Sequence, residues 1–235
     1  IGRERKMTEA EQFVIDYMEG RTESKAFVDR LKADPGIEDW LQSIVPEGKI
    51  GYYEILHDEA GSPYFRTGPY DVRRYTDRAL NAENKSNLQR HLDVFGIIAR
   101  LLKEAFPDRQ IRFDTSMKKK FNFLLKACPD YLYSRAIEES GIFEKLMKEL
   151  PTEWSEQRKV KEFRKRIREM FYIEGQNYPR WFHVSEWPLS PAGKPTKFLK
   201  QRNSDGGDVV KYKFLDPETG MEIEVVQNRY VGVKA

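Results

Sequence analysis

The apolar residues of this chain recur at helical spacing up to residue 177 and at strand spacing after it. Thr8 and Glu11 form a capping box that opens the first helix, because the hydroxyl and the carboxylate each satisfy a free backbone N–H. Pro35 and Pro46 limit the second and third helices, since proline lacks the N–H that a helix interior needs. Further apolar stripes predict helices over 70–80, 86–106, 115–128, 132–150 and 154–173.

A short stretch within the helical region carries strand-forming residues instead. Tyr52, Tyr53 and Ile55 favour an extended backbone, and the sequence Asp-Glu-Ala-Gly at 58–61 is typical of a turn. We therefore predict a short hairpin near residues 50–65.

The last part of the chain alternates apolar and charged residues, which is typical of antiparallel strands with one solvent-facing side. We expect Lys211 and Lys213 on one strand to pair with Glu222 and Glu224 on the next. A further strand is predicted at 180–184. A sheet this small is marginal as an independent fold, so we expect it to pack on the last helix through its tryptophans, Trp181 and Trp187.

These patterns predict an α+β protein, a mainly α-helical body followed by a small C-terminal antiparallel β-sheet. About seven helices would form a domain over residues 1–177, and three or four strands would form a β module over 178–235 that packs on it. An apolar content of 39% is sufficient for a hydrophobic core. Whether the β module is an independent domain is left open at this point.

The charge balance excludes strong attraction to nucleic acid or anionic lipid through bulk charge. The net charge is +3, and residues 178–235 contribute 9 basic and 7 acidic residues to it. Residues 1–177 contribute 32 basic and 31 acidic residues, so neither part is strongly charged.

The sequence favours a cytoplasmic location without a membrane partner. Cys128 is the single cysteine, so the chain can form no internal disulfide, which is typical of a reducing compartment. No apolar run approaches the roughly 20 residues that span a bilayer. The charged start lacks the apolar core of a signal peptide.

Residues able to perform acid–base or metal chemistry are few and scattered. None of His57, His91 and His183 stands at metal-ligand spacing from a second histidine or from the cysteine. His57 adjoins Asp58 and Glu59 and gives the densest acid–base group. It falls at a predicted turn, where such residues are mostly solvated.

Nucleophiles and cofactor motifs give no stronger indication. Cys128 lies on the apolar stripe of its helix, so we interpret it as a small buried hydrophobic residue rather than a nucleophile. The chain contains no phosphate-binding loop, nucleophile elbow or dinucleotide fingerprint. We therefore predict no catalytic residue, no metal site and no cofactor.

The helix over 158–168 is the most basic segment, with seven basic residues and one acidic residue. Arg164, Lys165 and Arg168 on its outer face are the candidate contacts for a nucleic-acid backbone. The competing interpretation, which we favour, is a solvated helix face balanced by acidic neighbours. The acidic neighbours expected are Glu138, Glu139 and Glu144.

Two groups of segments carry a resemblance to known proteins. The first is 13–20 (FVIDYMEG) with 39–46 (DWLQSIVP), and the second comprises 179–181 (PRW), 186–188 (EWP), 193–198 (GKPTKF), Asp216, 219–220 (TG) and 225–227 (VVQ). In these segments the chain resembles uncharacterised cytoplasmic proteins of Gram-positive bacteria, some of which look like immunity proteins of polymorphic toxin systems. The resemblance implies a kind of protein and assigns no functional residue.

The function that we predict is that of a non-enzymatic protein-binding protein of the bacterial cytoplasm, such as an immunity protein that neutralises a toxin by covering it. Aromatic residues make good interface anchors, and the candidate contacts are Trp187, Phe198, Tyr212 and Tyr230. A role in the core competes for each of them. The alternative is a nucleic-acid-binding protein that uses helix 158–168 and the β module. A third possibility is a hydrolase built around His57.

Overall fold

The structure is a computed structural model that describes residues 7–228, with the exception of the side chain of Asp205. It confirms the α+β class: the described part holds nine α-helices between residues 9 and 170, an early hairpin, and an antiparallel sheet over 197–228. The chain divides into two compact units, 1–119 and 120–235. The division of the chain into domains at residue 177 stays a prediction.

Unit 1 (residues 1–119) contains the hairpin and the helices before residue 106, as well as the start of a sixth helix. These elements are α1 (Glu9–Met18), α2 (Ser24–Ala33), α3 (Pro35–Ser43), β1 (Ile50–His57), β2 (Pro63–Pro69), α4 (Val72–Leu80), α5 (Asn87–Ala105) and α6 (Ser116–Ala127). The predicted start of α1 is confirmed, since the Thr8 hydroxyl accepts a hydrogen bond from the Glu11 N–H at 3.1 Å.

The core of unit 1 is built from short helices that bury one apolar face each. Tyr17 of α1 stacks on Phe27 of α2 with ring centroids 3.8 Å apart, and Phe95 of α5 meets Tyr17 edge-on at 5.5 Å. Helices of this length are unstable alone, so this mutual burial stabilises all of them.

His91 joins α5 to the start of α2. Its Nδ1 lies 2.7 Å from the hydroxyl of Ser24, and burial lowers the pKa of His91. The side chain of His91 is half-buried.

Unit 2 (residues 120–235) contains most of α6, three further helices and the sheet. These elements are α7 (Arg135–Glu139), α8 (Ile142–Lys148), α9 (Glu156–Met170), β3 (Lys197–Ser204), β4 (Val209–Leu215) and β5 (Glu222–Asn228). The single helix predicted over 132–150 is wrong, because Gly141 adopts a left-handed conformation (φ +78°) that separates α7 from α8.

The sheet of unit 2 has the order β3-β4-β5, and both pairs are antiparallel. The predicted cross-strand charge pairs are confirmed: Lys211 lies 3.8 Å from Glu224, and Lys213 lies 2.8 Å from Glu222. These groups are well exposed, so the pairs contribute to register more than to stability.

Trp187 lies at the centre of the core of unit 2. Its side chain is fully buried and meets Phe171, which follows α9, and Phe214 of β4 edge-on at 5.6 and 5.2 Å. Its indole N–H donates to the carbonyl of Thr196 at 3.2 Å. Trp187 therefore packs the sheet against the end of α9, as the sequence predicted.

The fourth strand predicted at 180–184 is wrong, since this segment lies beside the sheet without joining it. Gln227 of β5 holds the segment instead. Its side-chain oxygen accepts from the N–H of Phe182 at 2.8 Å and of His183 at 3.2 Å, and its side-chain nitrogen donates to the carbonyl of Val184 at 2.9 Å. A buried amide thus replaces the ladder of a strand.

None of the helices within residues 7–228 combines the length and the apolar character needed to cross a lipid bilayer.

We predict that Gln227→Ala destabilises the protein by about 2 kcal/mol, because it removes the acceptor of the Phe182 and His183 N–H groups and the donor to the Val184 carbonyl. The free energy of unfolding would be measured in urea. The control Gln157→Ala lies on the exposed side of α9 and should change that energy by less than about 0.5 kcal/mol. Equal effects of the two substitutions would contradict this role of Gln227.

The pKa of His91 predicts a pH dependence of stability. Because the pKa is lowered in the folded chain, the unfolded chain binds the proton at higher pH, and the free energy of unfolding falls as pH drops below about 6.5. His91→Gln should remove this part of the fall, measured by urea unfolding at about pH 7.5 and about pH 5.5. The control His57→Gln, on the exposed hairpin, should retain this fall in the free energy of unfolding. If His91→Gln leaves the pH dependence unchanged, the fall does not come from His91.

Candidate functional site

The hairpin β1–β2 has a closely defined register. Asp58 sets the turn, because one of its carboxylate oxygens accepts from the N–H of Ala60 at 3.0 Å and of Ser62 at 2.8 Å. Gly61 then adopts a left-handed conformation with φ +80°. The turn places Ile55 opposite Phe65 and thereby fixes which residues share each face.

One face of the hairpin is apolar and exposed. Tyr53, Ile55 and Phe65 point to this side and are 61%, 58% and 62% exposed. The rings of Tyr53 and Phe65 stack at 5.1 Å. We call these three side chains the apolar face. By strand alternation the other positions on this side are His57, Pro63 and Thr67, so the side carries no carboxylate, lysine or arginine.

The opposite face carries the charged residues of the two strands, and its β1 residues contact α4. Glu54 and Arg66 are directly opposite on β1 and β2. The guanidinium of Arg74, on α4, lies 4.5 Å from the ring centroid of Tyr52 and 3.3 Å from the carboxylate of Glu54. On this face Tyr52 and Glu54 of β1 are half-buried, whereas Tyr64 and Arg66 of β2 are exposed. The β1 part of the face is therefore directed towards the helix, and the apolar face is directed towards solvent.

Gly68 allows this arrangement, because a Cβ at that position would lie 1.9 Å from the ring of Tyr52. The ring therefore packs directly on the backbone of β2, with the Arg74 guanidinium on it.

A groove separates β1 from α4. A cavity of about 330 Å³ is lined by residues 51–54 on one side and by Arg74, Tyr75 and Arg78 on the other. A second cavity of about 660 Å³ shares Tyr75 and Arg78 with the first, but no β1 residue lines it, and it extends to Lys85 and to Asp93 and Ile97 of α5. We call these two cavities together the β1–α4 groove.

Three of the aromatic residues predicted to contact a partner lie in the core of unit 2. Trp187 and Tyr212 are fully buried, and Phe198 is 5% exposed. Phe198 and Tyr212 lie on the buried side of the sheet, and Trp187, which precedes β3, packs against that side at Phe214. The competing core role is thus the one that the structure shows. Tyr230 lies outside the described residues.

The α9 residues that were predicted to contact a phosphate backbone interact with groups of unit 2 instead. Arg164 donates to the carbonyl of Lys126 at 2.6 Å, and Arg168 donates to the carbonyl of Gly175 at 2.6 Å. Lys165 is exposed and lies 3.9 Å from Glu169. The basic groups are therefore spread among local acceptors rather than aligned as a free row.

The acidic neighbours of α9 differ in part from those expected. Arg166 lies 2.7 Å from Glu162 and 3.5 Å from Glu149. The expected partner Glu144 instead forms an ion pair with Lys120 of α6. This ion pair joins residues 24 apart in sequence, which helical periodicity does not encode.

The structure does not assemble the scattered reactive residues into one site. The carboxylate of Asp58 is engaged in the hairpin turn, and His183 Nε2 lies 2.8 Å from the carbonyl of Asn228. In residues 7–228 no group of three or more histidine, cysteine, aspartate or glutamate side chains is placed to hold a metal ion.

Cys128 lies at the end of α6 in the core of unit 2. It is 4% exposed, and burial raises the pKa of its thiol. A buried, protonated thiol is a poor nucleophile, which agrees with the structural role expected from the sequence.

Sequence reasoning did not identify the apolar face as a functional surface. The strand pattern of Tyr53 and Ile55 predicted the hairpin, but the same pattern is typical of a face that packs inward. The missing information is the position of α4, which lies on the side of Tyr52 and Glu54.

Comparison with models of known protein families, with curated protein sequences and with solved structures gives no match to this chain.

We predict that Cys128 in the folded chain reacts with a thiol reagent such as a disulfide dye at least about a hundredfold more slowly than in the unfolded chain, because the thiol is buried and protonated. The rate would be followed by dye absorbance at about pH 8, with the urea-unfolded chain as reference. A fast reaction in the folded state would instead revive Cys128 as a candidate nucleophile.

Proposed function

We propose that this chain is a non-enzymatic protein-binding protein of the bacterial cytoplasm and that it binds its partner through the apolar face of the hairpin. The observation that carries the proposal is the orientation of that hairpin. Antiparallel strands usually bury the apolar side and expose the charged side. Here Tyr53, Ile55 and Phe65 are exposed while Glu54 and Tyr52 are half-buried.

The size of the apolar face supports a role in binding. Large aromatic side chains bury roughly 150–250 Å² each in a core or an interface. Two such rings and an isoleucine therefore offer a patch of a few hundred Å², in the range where patches on monomeric proteins are often functional. At about 25 cal/mol per Å², covering it would contribute several kcal/mol before the costs of association.

The chemistry of the apolar face indicates the kind of surface that it fits. Since this side of the hairpin has no permanently charged side chain, a partner loses no ion hydration by covering it. Stacked aromatic rings are rigid and make good anchors at interface centres. We therefore propose a flat, apolar surface of a second protein as the occupant. The resemblance to immunity proteins makes a toxin the first candidate for that partner.

The protein-binding function is better supported than the alternatives. A phosphate backbone would have to displace the hydrogen bonds that Arg164 and Arg168 make to backbone carbonyls. A hydrolase would need His57 to face a second reactive group, but His57 lies at the exposed end of β1 beside a carboxylate engaged in a turn.

We predict that the double variant Ile55→Thr and Phe65→Thr weakens partner binding at least about tenfold, because it removes two anchors while keeping residues that favour strands. The partner would be captured from the native host, identified, and titrated against the purified variants. The free energy of unfolding should change by less than about 1 kcal/mol, since both side chains are exposed.

The matched control is Leu125→Gln on α6, which also replaces an exposed apolar side chain (60% exposed). It should leave partner affinity unchanged. The proposal fails if the folded double variant binds the same partner as tightly as the wild type, or if the wild-type chain recovers no protein partner from its host.

A further inference from the structure

We infer that the free edge of β1 takes an extended acidic segment of the partner protein, which adds to the hairpin as a third strand and places a carboxylate against Arg78. This inference rests on the proposed function and specifies the chemistry of the partner.

The edge of β1 is open. In the described chain β1 pairs only with β2, so its other edge has no strand partner. The first cavity of the β1–α4 groove is lined by four consecutive residues, 51–54. Successive side chains of a strand point to opposite faces, so a cavity that touches four in a row lies along the backbone edge. Unpaired strand edges are templates for a further strand.

The length of the groove matches an extended segment. Four strand residues span about 13 Å, and beyond them the second cavity continues past Tyr75 and Arg78. Tyr75 is held in place by stacking on Tyr70, with ring centroids 4.6 Å apart. In its first cavity the groove thus has the β1 backbone on one wall and a fixed aromatic ring on the other.

The charges of the groove favour an acidic occupant. Arg74 and Arg78 are four residues apart on α4 and so lie on one side of the helix. Glu54 balances Arg74, and Asp93 balances Lys85 at 2.6 Å. Arg78 has no acidic partner among residues 7–228 and lines both cavities. Its planar guanidinium is suited to a carboxylate.

A third strand at this edge would also enlarge the apolar face. Tyr53 belongs to the apolar face and lines the groove. Because side chains alternate along a strand, every second residue of the added segment would extend the apolar side, and the residues between would point towards α4. An acceptable segment therefore alternates apolar and acidic residues.

The probe for this site is a synthetic hexapeptide of alternating valine and glutamate with blocked ends, titrated to millimolar concentration against the full chain. Binding would be followed by the NMR shifts of the backbone amides of residues 51–54. Two further peptides separate the contribution of charge from that of backbone pairing. One has lysine in place of glutamate, and the other carries N-methyl groups that block strand pairing. Both should bind at least about tenfold more weakly.

Arg78→Gln should weaken the acidic peptide about tenfold. The control Arg112→Gln removes the same charge from an exposed position of unit 1 outside the groove and should leave the affinity unchanged. The inference is overturned if the amides of 51–54 do not shift, if the N-methylated peptide binds equally well, or if Arg112→Gln has the same effect as Arg78→Gln.

The two proposals can fail separately. If the peptide does not bind while Ile55→Thr and Phe65→Thr together still weaken partner binding, the strand-addition inference alone is lost. If those two substitutions leave partner binding intact, the apolar face is not the interface, whatever the peptide does.

Discussion

A two-stranded sheet has two faces and two edges, and the constraint that shapes unit 1 is that α4 lies against one face only. The helix reaches that face through Arg74, which rests on the ring of Tyr52 and binds Glu54. The β1 part of the charged side is thereby covered, while Arg66 of β2 stays exposed. Tyr53, Ile55 and Phe65 are left in solvent, where their exposure opposes stability and favours association. Both the proposed interface and the open strand edge follow from this placement.

In unit 2 it is the aromatic side of the sheet, rather than the charged side, that is covered. Its three strands turn their aromatic side inward, where Trp187, Phe198 and Tyr212 are buried. Gln227 binds the backbone of 182–184, and Gln201 and Tyr212 bind that of Arg180, so the segment needs no strand ladder. The contrast explains why aromatic residues predicted as partner contacts are core residues, whereas those of the hairpin are exposed. An aromatic residue on an alternating strand suits either environment, and its neighbours decide between them.

Much of the fold was predictable because local chemistry controls it. The Thr8 cap and the turn at 58–61 each act over a few residues, and the charge pairs of Lys211 and Lys213 follow from strand alternation. The errors arose where distant contacts outweigh local pattern. The 132–150 helix breaks at Gly141, and the 180–184 segment takes its hydrogen bonds from Gln227 rather than from a strand. The apolar periodicity of the sequence indicates neither the helix break nor these hydrogen bonds.

The sequence by itself determined the α+β class, the hairpin, most helix limits and the absence of familiar catalytic motifs, because caps, prolines, turns and periodicity are local properties. Only the tertiary structure decided which aromatic residues are buried, which basic residues are already engaged, and which side of the hairpin meets solvent. Those outcomes depend on groups such as Arg74 and Tyr52, which are far apart in sequence and meet only when the chain is folded.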